Sequence, residues 1–211
     1  MSVLLGRTNL RVEQTWYSLQ IPSDNRDTEK LAERTFQSGH PVDLTAGKSV
    51  WGPHIKDSSS LLVFFGDDGF TKCRNRSDAC DVVSSQIVEV LSSLLGKTIG
   101  LFFLPVARVV DAHCWEGAIE AVETARNDGL VSFSGLSCLG PGMAALLEWT
   151  YRDAFDVLCL HSKDQEDTLL PMANDRRTGV VTTYSSTVPD ACVLKIVRRL
   201  EDLEKVGPLS R

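Results

Sequence analysis

The reactive side chains of this sequence are its thiols, a few histidines and one short acidic run, and their spacing decides what each can do. Cys73 and Cys80 are separated by six residues in a polar stretch that also holds Lys72, Arg74 and Arg76. Nearby positive charge favours a thiolate, so a redox role or an intersubunit disulfide is one reading. The spacing matches no zinc or dithiol signature, however, and two unpaired loop thiols are expected. His113-Cys114 joins two metal-binding residue types at a predicted helix start, but adjacent helical side chains point apart and no third ligand has suitable spacing. A structural or capping role follows. Gly140-Pro141-Gly142, also before a helix, offers backbone N–H groups to an anion; with no basic residue beside it, a plain turn is expected. Asp164, Glu166 and Asp167 read as a solvated acidic loop, and no metal site is expected. Trp16, Trp51, Trp115 and Trp149 read as core or rim residues.

These residues must be held by repeated strand and helix units. Leu4 to Val12 brackets an Arg7-Thr8-Asn9 turn as a short hairpin does, and Trp16 to Ile21 reads as a strand stopped by Pro22. Ser23 to Asp27 offers N-cap oxygens to a helix carrying Leu31, Ala32 and Phe36, which ends at Gly39. Pro41 to Thr45 reads as a strand, Lys48 to Ser60 as a polar, turn-rich connection, and Leu61 to Phe65 as a strand buried on both faces. A helical stripe over Asp78 to Leu95 leads to a strand at Ile99 to Leu104. A helix from Trp115 to Ala125 stops at Asp128-Gly129. Leu130 to Phe133, Val157 to Leu160 and Val180 to Thr183 continue as strands, with helices across Met143 to Thr150 and near Leu169 to Ala173. A last helix is predicted from Asp190 to Lys205, its apolar face set by Val193, Ile196, Val197, Leu200 and Leu203.

Apolar strands alternating with helices imply parallel pairing through right-handed crossovers, hence an α/β fold. Without a Gly-x-Gly-x-x-Gly after the first strand, and with a hairpin able to plug a barrel base, the pattern favours a (β/α) TIM-type barrel. Seven strands are counted, so one unit is expected to be missing at the C-terminal end. The 211 residues, 43% hydrophobic and 24% charged, suit one domain over 1–211. A net charge of −6 gives no broad basic face for nucleic acid. The longest apolar runs fall far short of the roughly 20 residues that span a bilayer. Met1 to Leu10 holds Arg7, Thr8 and Asn9 where a signal peptide needs an apolar core. No membrane association, a cytoplasmic location and reduced cysteines are expected.

Leu5-Gly6-Arg7-Thr8-Asn9-Leu10-Arg11-Val12 resembles the opening hairpin of the aldo-keto reductases, with Asn9 where that family usually has Gly. Gly129-Leu130-Val131-Ser132-Phe133-Ser134-Gly135-Leu136-Ser137 is similar to the family's stretch in which a glycine ends a helix and a strand leads into Gly-Leu/Val-Ser-Asn. Asp156-Val157, and Arg177-Thr178-Gly179-Val180-Val181 leading to Tyr184-Ser185, resemble two later strands. Order and spacing agree across Leu4 to Ser186.

The resemblance implies an Asp, Tyr, Lys and His tetrad in which Tyr donates a proton to a carbonyl. Asp43 takes the Asp position. Trp51 lies near the Tyr position, and an indole donates a hydrogen bond without titrating. Gly66 or Asp67 stands at the Lys position and Pro105 at the His position, so three of four roles are vacant. Among the residues that would meet the dinucleotide, Ser137 and Tyr184 match, whereas Cys138 replaces an Asn and Cys159 a Gln. The segment gripping the adenosine phosphate would lie past residue 211. These positions therefore read as a vestigial site with no cofactor expected. Within the superfamily, a short tetrad-free barrel resembles the modifier (regulatory) subunit of glutamate-cysteine ligase. That branch implies a non-catalytic regulatory subunit in glutathione biosynthesis whose protein partner is the ligase's catalytic subunit. The alternatives are a divergent NADP-dependent oxidoreductase that binds NADPH and has moved its proton donor, for instance to Tyr184, or a scaffold subunit of a larger assembly.

Overall fold

The computed structural model describes residues 1–22, 25–55 and 58–204. The chain opens with the expected hairpin, β1 (Ser2–Leu4) against β2 (Arg11–Glu13), antiparallel with Val3 opposite Val12. Its turn needs left-handed backbone at Gly6 (φ 51°) and Asn9 (φ 60°). Asn tolerates that region better than other non-glycine residues, which is how it stands where the resembling family has Gly. At Gly6 a Cβ would lie 2.1 Å from the Gly179 nitrogen, so the plug seats against the barrel only with glycine there.

The remaining elements are β3 (Thr15–Leu19), α1 (Thr28–Gln37), β4 (Val42–Asp43), α2 (Lys48–Trp51), β5 (Leu62–Phe65), α3 (Arg76–Ser93), β6 (Ile99–Val106), α4 (Ala112–Asn127), β7 (Val131–Cys138), α5 (Gly142–Tyr151), β8 (Val157–Leu160), α6 (Glu166–Asp175), β9 (Gly179–Thr182), β10 (Cys192–Val197) and α7 (Leu200–Glu204). Strands β3 to β10 form a closed parallel barrel in sequence order, with β10 pairing both β9 and β3. The TIM-type fold is as the sequence indicates, but the strand count is corrected: the barrel has eight strands, Cys192–Val197 within the segment predicted as the last helix being the eighth, and the helix forms only over Leu200–Glu204. Cys-Val-Leu-Lys-Ile-Val suits either periodicity locally. The unpaired edges of β3 and β9 decide it, because a strand there satisfies both ladders and a helix satisfies neither.

Smaller differences follow the same logic. The 48–60 connection contains α2 and a 3₁₀ turn, Gly52–His54, and a second 3₁₀ turn, Thr45–Gly47, precedes it. Strand β7 runs on to Cys138, and the helix expected near 169–173 is the longer α6. Ser23 and Asp24, part of the expected first N-cap, lie outside the described residues, as does the end of the predicted last helix.

Two apolar layers result. Inside the barrel, Trp16, Val63, Leu101, Phe103, Val157, Cys159, Val181 and Cys192 pack together, and Val3, Leu5 and Val12 of the hairpin close this cluster at the base. Outside, the helices bury the opposite strand faces; α4 contributes Cys114, Trp115, Ala118, Ala121, Val122 and Ala125 at helical spacing. Every residue of β6 is buried, which is why its sequence reads as a continuous apolar run. Pro105 is tolerated in it because it lies past the last β5 pair, Phe65 with Phe103, where no ladder partner remains for an N–H. Arg7 pins the plug: Nη1 donates to Asp153 Oδ1 at 2.8 Å and Nη2 to the Phe155 carbonyl at 2.8 Å, with Nε 3.5 Å from Asp156 Oδ1. Residues 183–191 connect β9 to β10 without a helix, and Ile196, which pairs with Ser18 and faces the mouth, is 58% exposed.

Candidate functional site

At the C-terminal ends of the barrel strands lies a cavity of about 600 Å³. Its polar lining is Ser18 of β3 and Gln20 after it, Asp43 of β4, Ser137 of β7, His161 after β8, Thr183, Tyr184 and Ser185 after β9, and Lys195 of β10. Phe65, Gly66, Pro105 and Leu139 give it apolar wall. Strand ends converge there and their loops are free to vary, which is why barrel chemistry collects at this face.

His161 is the focus. Its Nε2 lies 2.9 Å from Ser137 Oγ and its Nδ1 3.5 Å from Thr183 Oγ1, so each ring nitrogen faces a hydroxyl that can donate or accept. Cys159 Sγ sits 3.7 Å from the same Nε2. Burial pushes the imidazole pKa down, so the ring is neutral at pH 7. Gln165 fixes the spacing: its Oε1 accepts from the His161 N–H at 2.8 Å, while its Nε2 donates to the carbonyls of Cys138 (2.9 Å) and Gly140 (2.7 Å). The ends of β7 and β8 are thereby tied together through one buried amide.

Asp43 is held as a fixed acceptor. Ser18 Oγ donates to Oδ2 at 2.6 Å, and the Thr45 N–H (2.9 Å) and Oγ1 (2.6 Å) donate to Oδ1. Burial raises its pKa against those donors. Tyr184 is occupied: its hydroxyl donates to Glu166 Oε1 at 2.8 Å, and Ser186 Oγ donates to the same oxygen. Burial, reinforced by that carboxylate, holds the phenol pKa far above its ordinary value. Glu166 was expected in a solvated loop; it is instead buried under the mouth, held by these two hydroxyls. Lys195 carries no ion pair among the described residues.

Of the residues singled out in the sequence, Asp43, Gly66, Pro105, Ser137 and Tyr184 line the cavity. Trp51 does not close it. That side chain is fully buried in the outer layer with Leu44 and Ile55, and its Nε1 finds no partner. Cys138 Sγ turns away to the Gly140 carbonyl at 3.4 Å, and burial pushes its pKa up to about 11. Cys159 is wholly buried beneath His161, and burial raises its pKa as well. All six cysteines are free thiols, Cys73 and Cys80 included. Cys114 Sγ and His113 Nε2 both approach the Cys73 carbonyl, at 3.4 and 3.0 Å, and so fasten α4 to the preceding loop. Among the described residues no group of His, Cys, Asp and Glu comes together to hold a metal, and no helix is long and apolar enough to cross a membrane. Sequence reasoning missed His161 and Lys195. His161 could have been found as the first residue past an apolar barrel strand; Lys195 was hidden inside a segment read as helix.

No family model matches the chain, and no curated protein matches it in sequence. Solved structures do match. A protein of Pseudomonas aeruginosa described as an aldo-keto reductase, PA4992, superposes with a TM-score of 0.75 over 97% of this chain and 91% of its own, at 14% identity. The aldo-keto reductase AKR11C1 of Bacillus halodurans, in its holo form, gives 0.70 over 90% of this chain and 69% of its own, at 15% identity. An aldo-keto reductase of Brucella melitensis gives 0.64 over 86% and 72%, at 14% identity. At this level of identity the likeness establishes the fold: the chain is built as an aldo-keto reductase barrel.

The NADP-type dinucleotide implied by the sequence resemblance would need phosphate donors on one side of the mouth. Past β9 stand the hydroxyls of Thr183 and Ser185, and past β10 the exposed guanidinium groups of Arg198 and Arg199, which make no hydrogen bond or ion pair among the described residues. Arg198 and Arg199 line a smaller hollow together with Glu201 and Asp202, and it shares Ile196 with the main cavity. Loops after the seventh and eighth strands are where barrel enzymes hold phosphate. A side-chain amide is missing at Cys138 and Cys159, and Ser137, His161 and Gln20 are among the lining groups able to meet a carboxamide.

Proposed function

We propose that the chain is a divergent NADP-linked oxidoreductase that binds a small carbonyl compound at the barrel mouth and handles its proton through His161 and Ser137. The observation that carries this reading is the 2.9 Å contact between Ser137 Oγ and His161 Nε2 inside a polar cavity at the strand ends. Arg198, Arg199, Lys195 and Ser185 would hold the phosphates of the dinucleotide, which when bound supplies the hydride. A carbonyl oxygen seated against Ser137 Oγ would receive a hydrogen bond as negative charge develops and take that hydroxyl's proton, which the protonated fraction of His161 would return to Ser137 before recharging from solvent. Thr183 on Nδ1 and Gln165 on the backbone orient the ring. Asp43, fixed by Ser18 and Thr45, presents an oriented carboxyl at the opposite wall. Tyr184 serves as a structural donor to Glu166, so the proton donor of this reading is His161 rather than the phenol.

A second reading rests on different residues. The Tyr, Lys and His positions of the reductase tetrad hold Trp51, Gly66 and Pro105, and Trp51 is packed away from the mouth. On this reading the chain is a non-catalytic regulatory subunit, with the catalytic subunit of glutamate-cysteine ligase as the partner suggested by sequence resemblance. Titration of NADPH with a panel of aldehydes and ketones separates the two. Saturable binding and turnover that His161→Gln lowers by about 10²- to 10⁴-fold support the oxidoreductase. Silence in both assays removes it and leaves the regulatory subunit, whose test is co-purification with that ligase subunit.

A further inference from the structure

A second cavity, of about 470 Å³, opens at the opposite end of the barrel, between the plug and the N-terminal ends of β5, β6 and β7. Its size suits a small metabolite, and its walls are unlike the apolar interior above it. Arg11 of β2 and Lys97, in the turn before β6, both border it. The Arg11 guanidinium makes no hydrogen bond or ion pair among the described residues, and Lys97 Nζ makes a single long contact, 3.4 Å, to the Ser58 carbonyl. The hydroxyls of Ser59, Thr98 and Ser132 line the same space and likewise carry no hydrogen bond among the described residues. Glu13 also borders it, its charge met by the Met1 amine at 2.7 Å. Two cations without an ion pair among the described residues, three solvent-facing hydroxyls and one carboxylate held by the Met1 amine form a donor-rich site with one strong acceptor.

We propose that this basal cavity binds a phosphorylated polyol or sugar, its phosphate held by Arg11 and Lys97 and its hydroxyls by Ser59, Thr98, Ser132 and Glu13. Charge-assisted contacts fix the phosphate, and the solvent-facing serine and threonine hydroxyls accept or donate to a polyol without reorganising the backbone. The ligand sits at the far end of the barrel from His161, so its binding is independent of the oxidoreductase reading.

Calorimetric titration with inorganic phosphate and with glucose 6-phosphate tests this on the full chain. The variant Arg198→Ser/Arg199→Ser is used as background so that anion binding at the mouth is not counted. Saturable one-to-one binding is expected there, tighter for the sugar phosphate than for phosphate. Arg11→Ser and Lys97→Met should each weaken it roughly tenfold, with the thermal midpoint unchanged as a check on folding. Binding that vanishes in the mouth background, binding that neither basal substitution changes, or no saturation at about 10 mM ligand overturns the site, since weaker association would be below a useful affinity. Equal affinity for the two probes overturns the assignment to a polyol.

Discussion

At the base of the barrel, Val3, Leu5 and Val12 close over Trp16, Val63 and Leu101, whereas at the mouth the same strands end in Ser18, Asp43, Ser137, His161 and Thr183. Both layers are made by the same alternation of inward residues along parallel strands. The difference lies in what covers them. The hairpin removes water from the base, so apolar side chains are favoured there. Among the described residues no element plugs the mouth, so polar groups can be half-buried and still find partners. The interior therefore acts as a rigid stem, and the last inward residue of each strand is free to carry chemistry.

The largest effect expected from disturbing this contrast is at the stem. Phe103, fully buried and stacked on Phe65 at 4.6 Å between centroids, should lose about 3–5 kcal/mol of stability as Phe103→Ala in urea unfolding. At the mouth, His161→Gln should leave stability within about 1 kcal/mol but remove turnover, while Ser137→Ala lowers it with His161 still in place. A loss of stability at the mouth comparable to that at Phe103 would show the two layers to be one packed core. Arg7 joins the plug to the β7–β8 side of the barrel; with its side chain partly exposed, Arg7→Ala should cost about 1–2 kcal/mol. Tyr184→Phe, which deletes only the hydrogen bond to Glu166, should cost about 0.5–1.5 kcal/mol and change turnover less than tenfold, the signature of a positioning residue.

The smallest effect is in pH dependence. Burial depresses the folded-state pKa of His161 below 6.5, so the native state binds fewer protons than the unfolded chain. Its contribution to stability is complete above pH 6.5 and is lost as pH falls through the folded value. His161→Gln should flatten the stability profile on the acid side of 6.5 relative to the parent. Asp43 has the opposite sign among carboxyls: with its folded pKa raised, stability falls as pH rises from the ordinary carboxylate range through that higher value.

Much of the fold was legible because buried parallel strands write continuous apolar runs, as in Ile99–Val106, and the hairpin carries Gly6 and Asn9 at the turn that needs them. The eighth strand was not legible, since Cys192–Val197 fits a helical stripe as well as a strand and only the open edges of β3 and β9 decide between them. The site was legible in part. Asp43, Ser137 and Tyr184 stand at strand ends that sequence order alone locates. Trp51 could not be placed, because whether α2 turns its indole toward the mouth or the outer layer depends on packing against distant residues. His161 gave no motif; its meaning comes from Ser137, which lies 24 residues away in sequence and reaches it only through the pairing of β7 with β8.

The most direct test is calorimetric titration of NADPH into the protein and into Arg198→Ser/Arg199→Ser. Saturable binding in the micromolar range by the parent, weakened by at least about tenfold in the variant, is expected if the mouth holds a dinucleotide across β9 and β10. Absence of binding to the parent, or equal binding by both, contradicts it.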